Sequence, residues 1–235
     1  MEYHQYCPVA RASEILADRW TPLIVRELLA GCHHFNEIER GLPGISRSLL
    51  VSRLRQLEDT GVVERRVSDR PKMTLYELTP AGRDLQRVLD RLGAWAIRWV
   101  FRDPRPDEED PVLMAWMIRR RIRKELLPPQ RTVVELDFTG RGAQRLWLVL
   151  EPHETSVCLK PPGFDPHLIV KSDLAYFQRV WAGQIDYDAA VRSGHLVIEG
   201  APALVRAFPR WLLWSPMARF VHAERERRSH AAAAV

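Results

Sequence analysis

Cysteine is scarce in this chain, with three residues in 235. A small, odd number of cysteines in a chain of this length argues against a framework of disulfide bonds. Long apolar runs are missing too, since no stretch approaches the roughly 20 residues that a membrane-spanning helix needs. The opening residues, MEYHQY, lack the basic and apolar regions of a secretory signal peptide. These absences predict a cytoplasmic protein with no membrane partner.

Residue groupings that support catalysis are also absent from the sequence. There is no glycine-rich phosphate-binding loop, no nucleophile elbow and no Ser-His-Asp order. The eight histidines do not fall into metal-ligand spacings, and His33-His34 beside Cys32 has no second pair of ligands in register. The sequence therefore predicts no enzyme activity, no metal site and no cofactor.

Neither sign of charge dominates the chain, because 35 Lys and Arg residues oppose 30 Asp and Glu residues and leave a net charge of +5. This excess is compatible with a polyanionic partner but does not by itself predict one. The length and the 46% of hydrophobic residues suffice for the cores of two modest domains.

A helix-turn-helix pattern occupies residues 35–58. Leu42-Pro43-Gly44 is a turn signal, and leucines recur at core spacing in the helix that follows. The face opposite those leucines offers groups that hydrogen-bond base edges, although any surface helix also has a polar face. The predicted DNA-contacting residues of this helix are Ser46 (also its N-cap), Arg47, Ser48, Leu49, Ser52, Arg53, Arg55 and Gln56, with Arg47 and Arg53 suited to phosphates.

A β-hairpin is predicted directly after this helix. Residues 61–67 and 73–79 alternate in the manner of strands, and the turn between them is basic. A recognition helix followed by a hairpin with a basic tip forms a winged helix. Arg70 and Lys72 at the tip are expected to lie beside the minor groove or the DNA backbone. The alternative for both residues is an ordinary solvated loop.

Several separated motifs within residues 1–100 together resemble the HxlR-type winged helix-turn-helix regulators. The resemblance implies a bacterial transcription factor that binds double-stranded operator DNA, forms a homodimer through its terminal helices and responds to a small molecule or an oxidant. The wing departs from the proline-rich segment of many relatives. The motifs are Cys7-Pro8-Val9, Asp18-Arg19-Trp20-Thr21, Phe35-Asn36-Glu37-Ile38 and the segments 42–46, 53–58, 61–64 and 76–82.

A long amphipathic helix is predicted over residues 81–101, and it carries more apolar residues than one small domain needs. Packing against a symmetry mate is one interpretation, since a twofold dimer presents two recognition helices to half-sites about one turn of DNA apart. Packing within the same chain is the other. The apolar positions are Leu85, Val88, Leu89, Leu92, Trp95, Ala96 and Trp99.

A proline-rich, acidic segment over 102–111 is predicted to be a linker. It would separate a DNA-binding and dimerisation domain, residues 1–101, from a second domain, residues 112–222. The last residues, 223–235, are expected to be a disordered tail. A helix over 112–127 opens the second domain, and its basic run is interpreted as a solvated face in preference to a phosphate contact.

The second domain has the alternation of strands and helices that indicates an α+β fold. The order of its elements, with the Gly194 to Gly200 segment, resembles the sterol carrier protein domain over about residues 112–220. This resemblance implies a lipid-sized apolar cavity between sheet and helices, whereas an ordinary core is the alternative for each aromatic residue. The expected lining residues are Trp147, Leu159, Phe177, Trp181, Phe208, Trp211, Leu212, Trp214 and Phe220.

Two sensing mechanisms follow from these resemblances. An apolar small-molecule effector in the second domain could change the spacing of the recognition helices. Alternatively, Cys7 could be a redox switch, since some HxlR-type relatives use a cysteine at this position. The ligand mechanism is preferred because it explains the added domain. A lipid-carrying or scaffold protein without specific DNA binding is a third possibility.

Overall fold

The computed structural model describes residues 3–69 and 72–233 of the chain. Contacts divide the chain at Leu92 into an N-terminal and a C-terminal unit. The division falls inside a helix and not in the predicted linker over 102–111. Gly93, the first residue of the C-terminal unit, approaches Met217 so closely that a Cβ at this position would lie 2.6 Å from Met217 Sδ.

The N-terminal unit combines helices with one antiparallel hairpin, as the sequence predicts. Residue pairing in the hairpin runs from Val63 opposite Leu78 to Asp69 opposite Lys72. The last helix of the unit, α5, continues past the dividing point at Leu92. The elements are α1 Pro8–Leu16, α2 Thr21–Leu29, α3 Phe35–Arg40, α4 Arg47–Asp59, β1 Val63–Asp69, β2 Lys72–Leu78 and α5 Pro80–Trp99.

Aliphatic side chains from α2, α3, α4 and the hairpin close the core of this unit. Burying one such side chain stabilises the fold by roughly 1.5–3 kcal/mol. One face of α4 is therefore buried in the core, and the opposite face is exposed to solvent. The central members are Ile24, Val25, Ile38, Leu50, Leu54, Leu57, Val63 and Leu78.

The C-terminal unit contains a five-stranded sheet in the order β5-β4-β3-β6-β7. The pairing of β3 with β6 is parallel, and the other three pairings are antiparallel. The prediction of a mixed α+β fold is confirmed. The elements are α6 Pro111–Arg120, β3 Thr132–Thr139, β4 Gln144–Leu150, β5 Thr155–Cys158, β6 Leu168–Asp173, α7 Leu174–Trp181, α8 Tyr187–Arg192, β7 Leu196–Gly200, α9 Pro202–Trp211 and α10 Ala218–Ala233.

Helix α6 is shorter than the predicted helix over 112–127, because it ends at Arg120. The chain after it pairs at residues 122–123 with the end of α9, before a short 3₁₀ helix at Lys124–Leu126. The Arg123 N–H donates to the Trp211 carbonyl at 2.7 Å, and Ile122 forms a bridge with Leu212. These tertiary hydrogen bonds outweigh the helical tendency of the sequence.

The expectation of a disordered tail over 223–235 is wrong for its described residues, since α10 is helical to Ala233. Glu224 accepts hydrogen bonds from Arg227 and Arg228 at 2.6 and 2.7 Å, at spacings of three and four residues that stabilise a helix. The run of alanines near its end has the highest helix propensity of any residue type. In the described part of the chain, every helix is too short or too polar to cross a membrane.

Candidate nucleic-acid interface

The turn between α3 and α4 sets the direction of the candidate recognition helix. Gly44 adopts a φ of +88°, which favours glycine because a side chain would clash with the backbone. Ser46 then begins α4 as its N-cap, and its hydroxyl oxygen accepts a hydrogen bond from the Leu49 N–H at 3.3 Å. This bond satisfies a backbone donor that would otherwise lack a partner in the first turn.

Helix α4 is buried on one side and exposed on the other. Leu50, Leu54 and Leu57 lie in the core. The side chains of Ser48, Ser52 and Arg55 are exposed, and those of Leu49 and Gln56 are half-buried. The exposed side therefore carries hydroxyl and guanidinium groups that can reach base edges in a DNA groove.

Arg55 is an exposed cation on this face. It forms no hydrogen bond or ion pair with residues 3–69 or 72–233, apart from a weaker electrostatic effect on Tyr76. Burial raises the pKa of the Tyr76 phenol, while the nearby charges of Arg65 and Arg55 act in the opposite direction. Arg55 and the hairpin residue Arg65 thus both place positive charge near Tyr76.

Arg47 is exposed but held against α3. Its guanidinium donates to Glu39 at 2.8 Å and to Asn36 at 3.3 Å, and it lies 4.9 Å from the centre of the Phe35 ring. An exposed ion pair of this kind contributes only about 0–1 kcal/mol, so a phosphate could replace Glu39 as the partner. Arg47 and Arg55 flank an open depression of about 550 Å³ that Phe35 also lines.

Arg53 and Gln56 have a different environment from the one that the sequence predicted. Arg53 donates to Asp18 at 2.7 Å and to the Gln56 amide oxygen at 2.8 Å, and Gln56 donates to the same Asp18 oxygen at 3.1 Å. The Arg53 side chain is 21% exposed. These residues connect α4 to the segment before α2, and the sequence pattern predicted no role for Asp18.

The segment that carries Asp18 has a strained backbone at its end. Trp20 adopts a φ of +82°, a region that bulky residues rarely adopt. Its indole packs against the core of the N-terminal unit, and the Arg19 guanidinium lies 5.4 Å from the ring centre. Strain of this kind persists only where surrounding contacts fix it, so this segment is a defined attachment point for α4.

The basic tip of the hairpin lies largely outside the described residues. Arg70 is not described, and for Lys72 the structure gives only the backbone, which pairs with Asp69 in the hairpin. The strand before the tip carries exposed Arg65 and Arg66, which the sequence pattern did not indicate as DNA contacts. A hydrogen bond and charge from Glu64, with further charge from Glu77, raise the pKa of Arg66.

The predicted ligand-lining residues fall into two groups. Most of them pack together in the core of the C-terminal unit, where Trp181 and Trp214 have ring centres 5.7 Å apart. Trp147 lies outside this core and donates to Glu135 at 3.0 Å, while the Leu159 side chain is 57% exposed. Phe220 is half-buried beside Arg219. The core members are Phe177, Trp181, Phe208, Trp211 and Leu212, with Trp214 packed against them.

The cysteines have contrasting environments, and none is in a disulfide. Cys7 is half-exposed and caps α1, without a side-chain capping hydrogen bond. Cys32 is buried, and its thiol lies 3.8 Å from the buried carboxylate of Glu27. Among the described residues, no three His, Cys, Asp or Glu side chains are grouped as metal ligands would be.

An apolar stripe runs along the exposed side of α5. Val88, Leu92, Trp95 and Trp99 are each about half exposed, at 49%, 53%, 55% and 54%. Their spacings of four, three and four residues place them on one face of the helix, in the pattern of a helix-pairing seam. Exposure of two tryptophans on one face is typical of a protein interface.

Replacing Ser46 with alanine should destabilise the N-terminal unit by about 1 kcal/mol, because α4 loses its N-cap hydrogen bond. Urea denaturation, monitored through the circular dichroism signal of the helices, measures this change in the free energy of unfolding. Ser52→Ala is the matched control, since Ser52 is exposed in the middle of the same helix. Equal stability of the two variants would show that the cap contributes nothing.

Replacing Asp18 with alanine should weaken DNA binding by about threefold to tenfold, because Arg53 and Gln56 would no longer fix α4 to the segment before α2. Fluorescence anisotropy on a labelled duplex measures the affinity. Asp59→Ala, which removes an exposed carboxylate at the end of α4, serves as the control. If both variants bind DNA alike, the attachment has no role in recognition.

Comparisons with known proteins match the N-terminal part of the chain. The HxlR-like helix-turn-helix family matches residues 15–104. The chain is 40% identical over 102 residues to YvaP of Bacillus subtilis (strain 168), an uncharacterized HTH-type transcriptional regulator, covering 43% of this chain and 94% of YvaP. It is 39% identical over 92 residues to the HTH-type transcriptional regulator YodB of the same organism, covering 38% of this chain and 82% of YodB.

One solved structure among the similar ones is the reduced form of YodB from B. subtilis, with 36% identity, coverage of 41% of this chain and 96% of that chain, and a TM-score of 0.38. The sequence relationship to YvaP spans nearly the whole of that regulator. Together with the family match, it shows that the chain belongs to the HxlR-like helix-turn-helix family of transcriptional regulators.

Proposed function

We propose that this DNA-binding regulator acts as a homodimer that inserts two copies of α4 into successive major grooves of operator DNA. The observation that supports this proposal is the division of α4 into a buried leucine face and an exposed face with Ser48, Ser52 and Arg55. A dimer would present the two helices to half-sites about 34–36 Å apart.

The contacts of each side chain suggest its role at the DNA. Arg55 is without a hydrogen-bonding partner in the described part of the chain, so its guanidinium can donate two hydrogen bonds to a guanine. Leu49 is half-buried beside that face and suits a thymine methyl group. Arg47 can exchange Glu39 for a phosphate, whereas Arg53 acts through Asp18 as a positioning residue for α4.

The stripe on α5 supports the homodimer. Val88, Leu92, Trp95 and Trp99 can pair with the same residues of a second copy across a twofold axis, because an interface of this symmetry uses one patch twice. Pairing would remove both tryptophans from water. The terminal-helix dimer that the HxlR-type resemblance implies uses this part of the chain.

The C-terminal unit is the proposed sensor, on the basis of its sequence resemblance to a sterol carrier protein domain. Its predicted cavity residues pack against one another, so a ligand between sheet and helices would have to separate Phe177, Trp181 and Phe208. Cys7 supports an alternative redox mechanism, since its thiol is half-exposed while that of Cys32 is buried.

Selection of duplexes from a randomised DNA library with the full chain tests the function. We expect enrichment of two related half-sites, about one turn of DNA apart and related by twofold symmetry. Loss of binding on treatment with diamide, absent in Cys7→Ser, would favour the redox mechanism. Failure to enrich any sequence would contradict the proposal and favour a carrier or scaffold.

A further inference from the structure

We propose that a pocket in the C-terminal unit binds a small amphipathic carboxylate. The pocket holds about 250 Å³ and lies where the end of α5 meets α7 and α10. It is separate from the aromatic core between sheet and helices. Its apolar side is formed by Ile97, Phe101 and Val221, and its basic side by Arg179, Arg225 and Arg228.

The basic side retains positive charge despite two carboxylates. Glu224 lines the pocket, and hydrogen bonds from Arg227 and then Arg228 lower its pKa to about 2, so it is ionised and the charges of these arginines offset its own. Arg227 itself is not a lining residue. Asp103 lies 3.2 Å from Arg179 Nε and offsets one further guanidinium. An anion entering the pocket therefore meets a net positive surface.

The guanidinium groups also keep donors for a ligand. Each guanidinium has five N–H groups. Arg225 donates one of them to the Gly183 carbonyl at 3.3 Å, and Arg228 donates to the Arg98 carbonyl at 3.0 Å and to Glu224. Arg179 forms an ion pair with Asp103 through its Nε at 3.2 Å, and its side chain is 38% exposed.

The apolar side and the volume define the rest of the ligand. Ile97 and Val221 are buried, and Phe101 is 44% exposed, so a ligand would cover its ring. At about 30 Å³ for each water-sized group, the pocket accommodates on the order of eight to ten non-hydrogen atoms. A carboxylate on a medium-length alkyl chain or on a single aromatic ring fits these limits.

A ligand in this pocket would act directly on α5. Ile97 lies on the same helix as Trp95 and Trp99, which form the proposed dimer stripe. The ligand can therefore favour one orientation of the stripe and change the spacing of the two recognition helices. This regulatory role rests on the proposed function, whereas binding to the pocket does not.

Isothermal titration calorimetry of the full chain with sodium octanoate tests the site. We expect one octanoate per chain and no binding of 1-octanol, which has the same chain length without the charge. Arg225→Gln should weaken octanoate binding by about tenfold or more, because it removes a charged hydrogen-bond donor. Arg206→Gln, on the exposed side of α9, should leave the affinity unchanged.

Octanoate binding that is unaffected by both Arg225→Gln and Arg179→Gln would overturn the assignment, as would the absence of binding by both octanoate and benzoate. Circular dichroism of each variant establishes that it is folded. DNA affinity is then measured with and without octanoate. If octanoate occupies the pocket without changing DNA affinity, the effector role is refuted but the binding site stands. If the chain binds no DNA, the proposed function fails, whereas the octanoate results for the chain and its variants still test the site.

Discussion

Replacing Arg55 with alanine should lower the affinity for the selected operator by about tenfold to a hundredfold and relax the preference at one or two base pairs. A bidentate pair between arginine and guanine discriminates by about 1–3 kcal/mol. Arg55 is exposed and makes no internal hydrogen bond in the described residues, so the fold should not change. Anisotropy measurements on duplexes with each single base substitution determine the effect.

Substitutions at the tip of the hairpin are expected to affect DNA binding differently from Arg55→Ala. Arg70→Ala or Lys72→Ala should weaken binding to all sequences to a similar extent and reduce the slope of log affinity against log salt by about one each. Phosphate contacts position the protein without specifying sequence. An Arg55→Ala protein with unaltered affinity and base preference on every duplex would show that another face of α4 meets the DNA.

Replacing both Trp95 and Trp99 with glutamate should convert the proposed homodimer into a monomer and lower operator affinity by at least a hundredfold. Each tryptophan at the centre of an interface contributes on the order of 2 kcal/mol or more, and the introduced charges would be buried without partners. A monomer would also engage one half-site at a time. Analytical ultracentrifugation gives the molar mass, and anisotropy gives the affinity.

Val197→Glu is the matched control, because Val197 is an exposed apolar residue on strand β7, at 38% exposure. It should remain dimeric and bind DNA normally. A double variant of Trp95 and Trp99 that stays dimeric at micromolar concentration would support the alternative, in which this stripe does not join two copies.

Helical periodicity correctly predicted the buried and exposed sides of α4. Leu50, Leu54 and Leu57 are in the core, and Ser46 is the N-cap. The attachment of Arg53 to Asp18 could not be predicted, because the two residues are 35 positions apart and their approach depends on tertiary packing. Local patterns assign residues to faces of a helix, but they do not identify distant partners.

The sequence predicted the α+β composition of the C-terminal unit but not its parallel pairing of β3 with β6. Alternation indicates strands without giving their order in a sheet. The aromatic residues illustrate a second limit, since buried Phe177 and Phe208 could line a cavity or fill a core with the same spacing. Exposed Leu159 was misplaced for the same reason, because apolar character alone does not report burial.

The most direct test of DNA recognition by α4 is an anisotropy comparison at about 150 mM salt, where nonspecific electrostatic binding is weakened. The full chain is titrated with the selected operator and with a duplex of equal length and composition whose half-sites are scrambled. We predict an affinity ratio of at least about a thousandfold. A ratio near one would contradict sequence-specific recognition by the exposed face of α4.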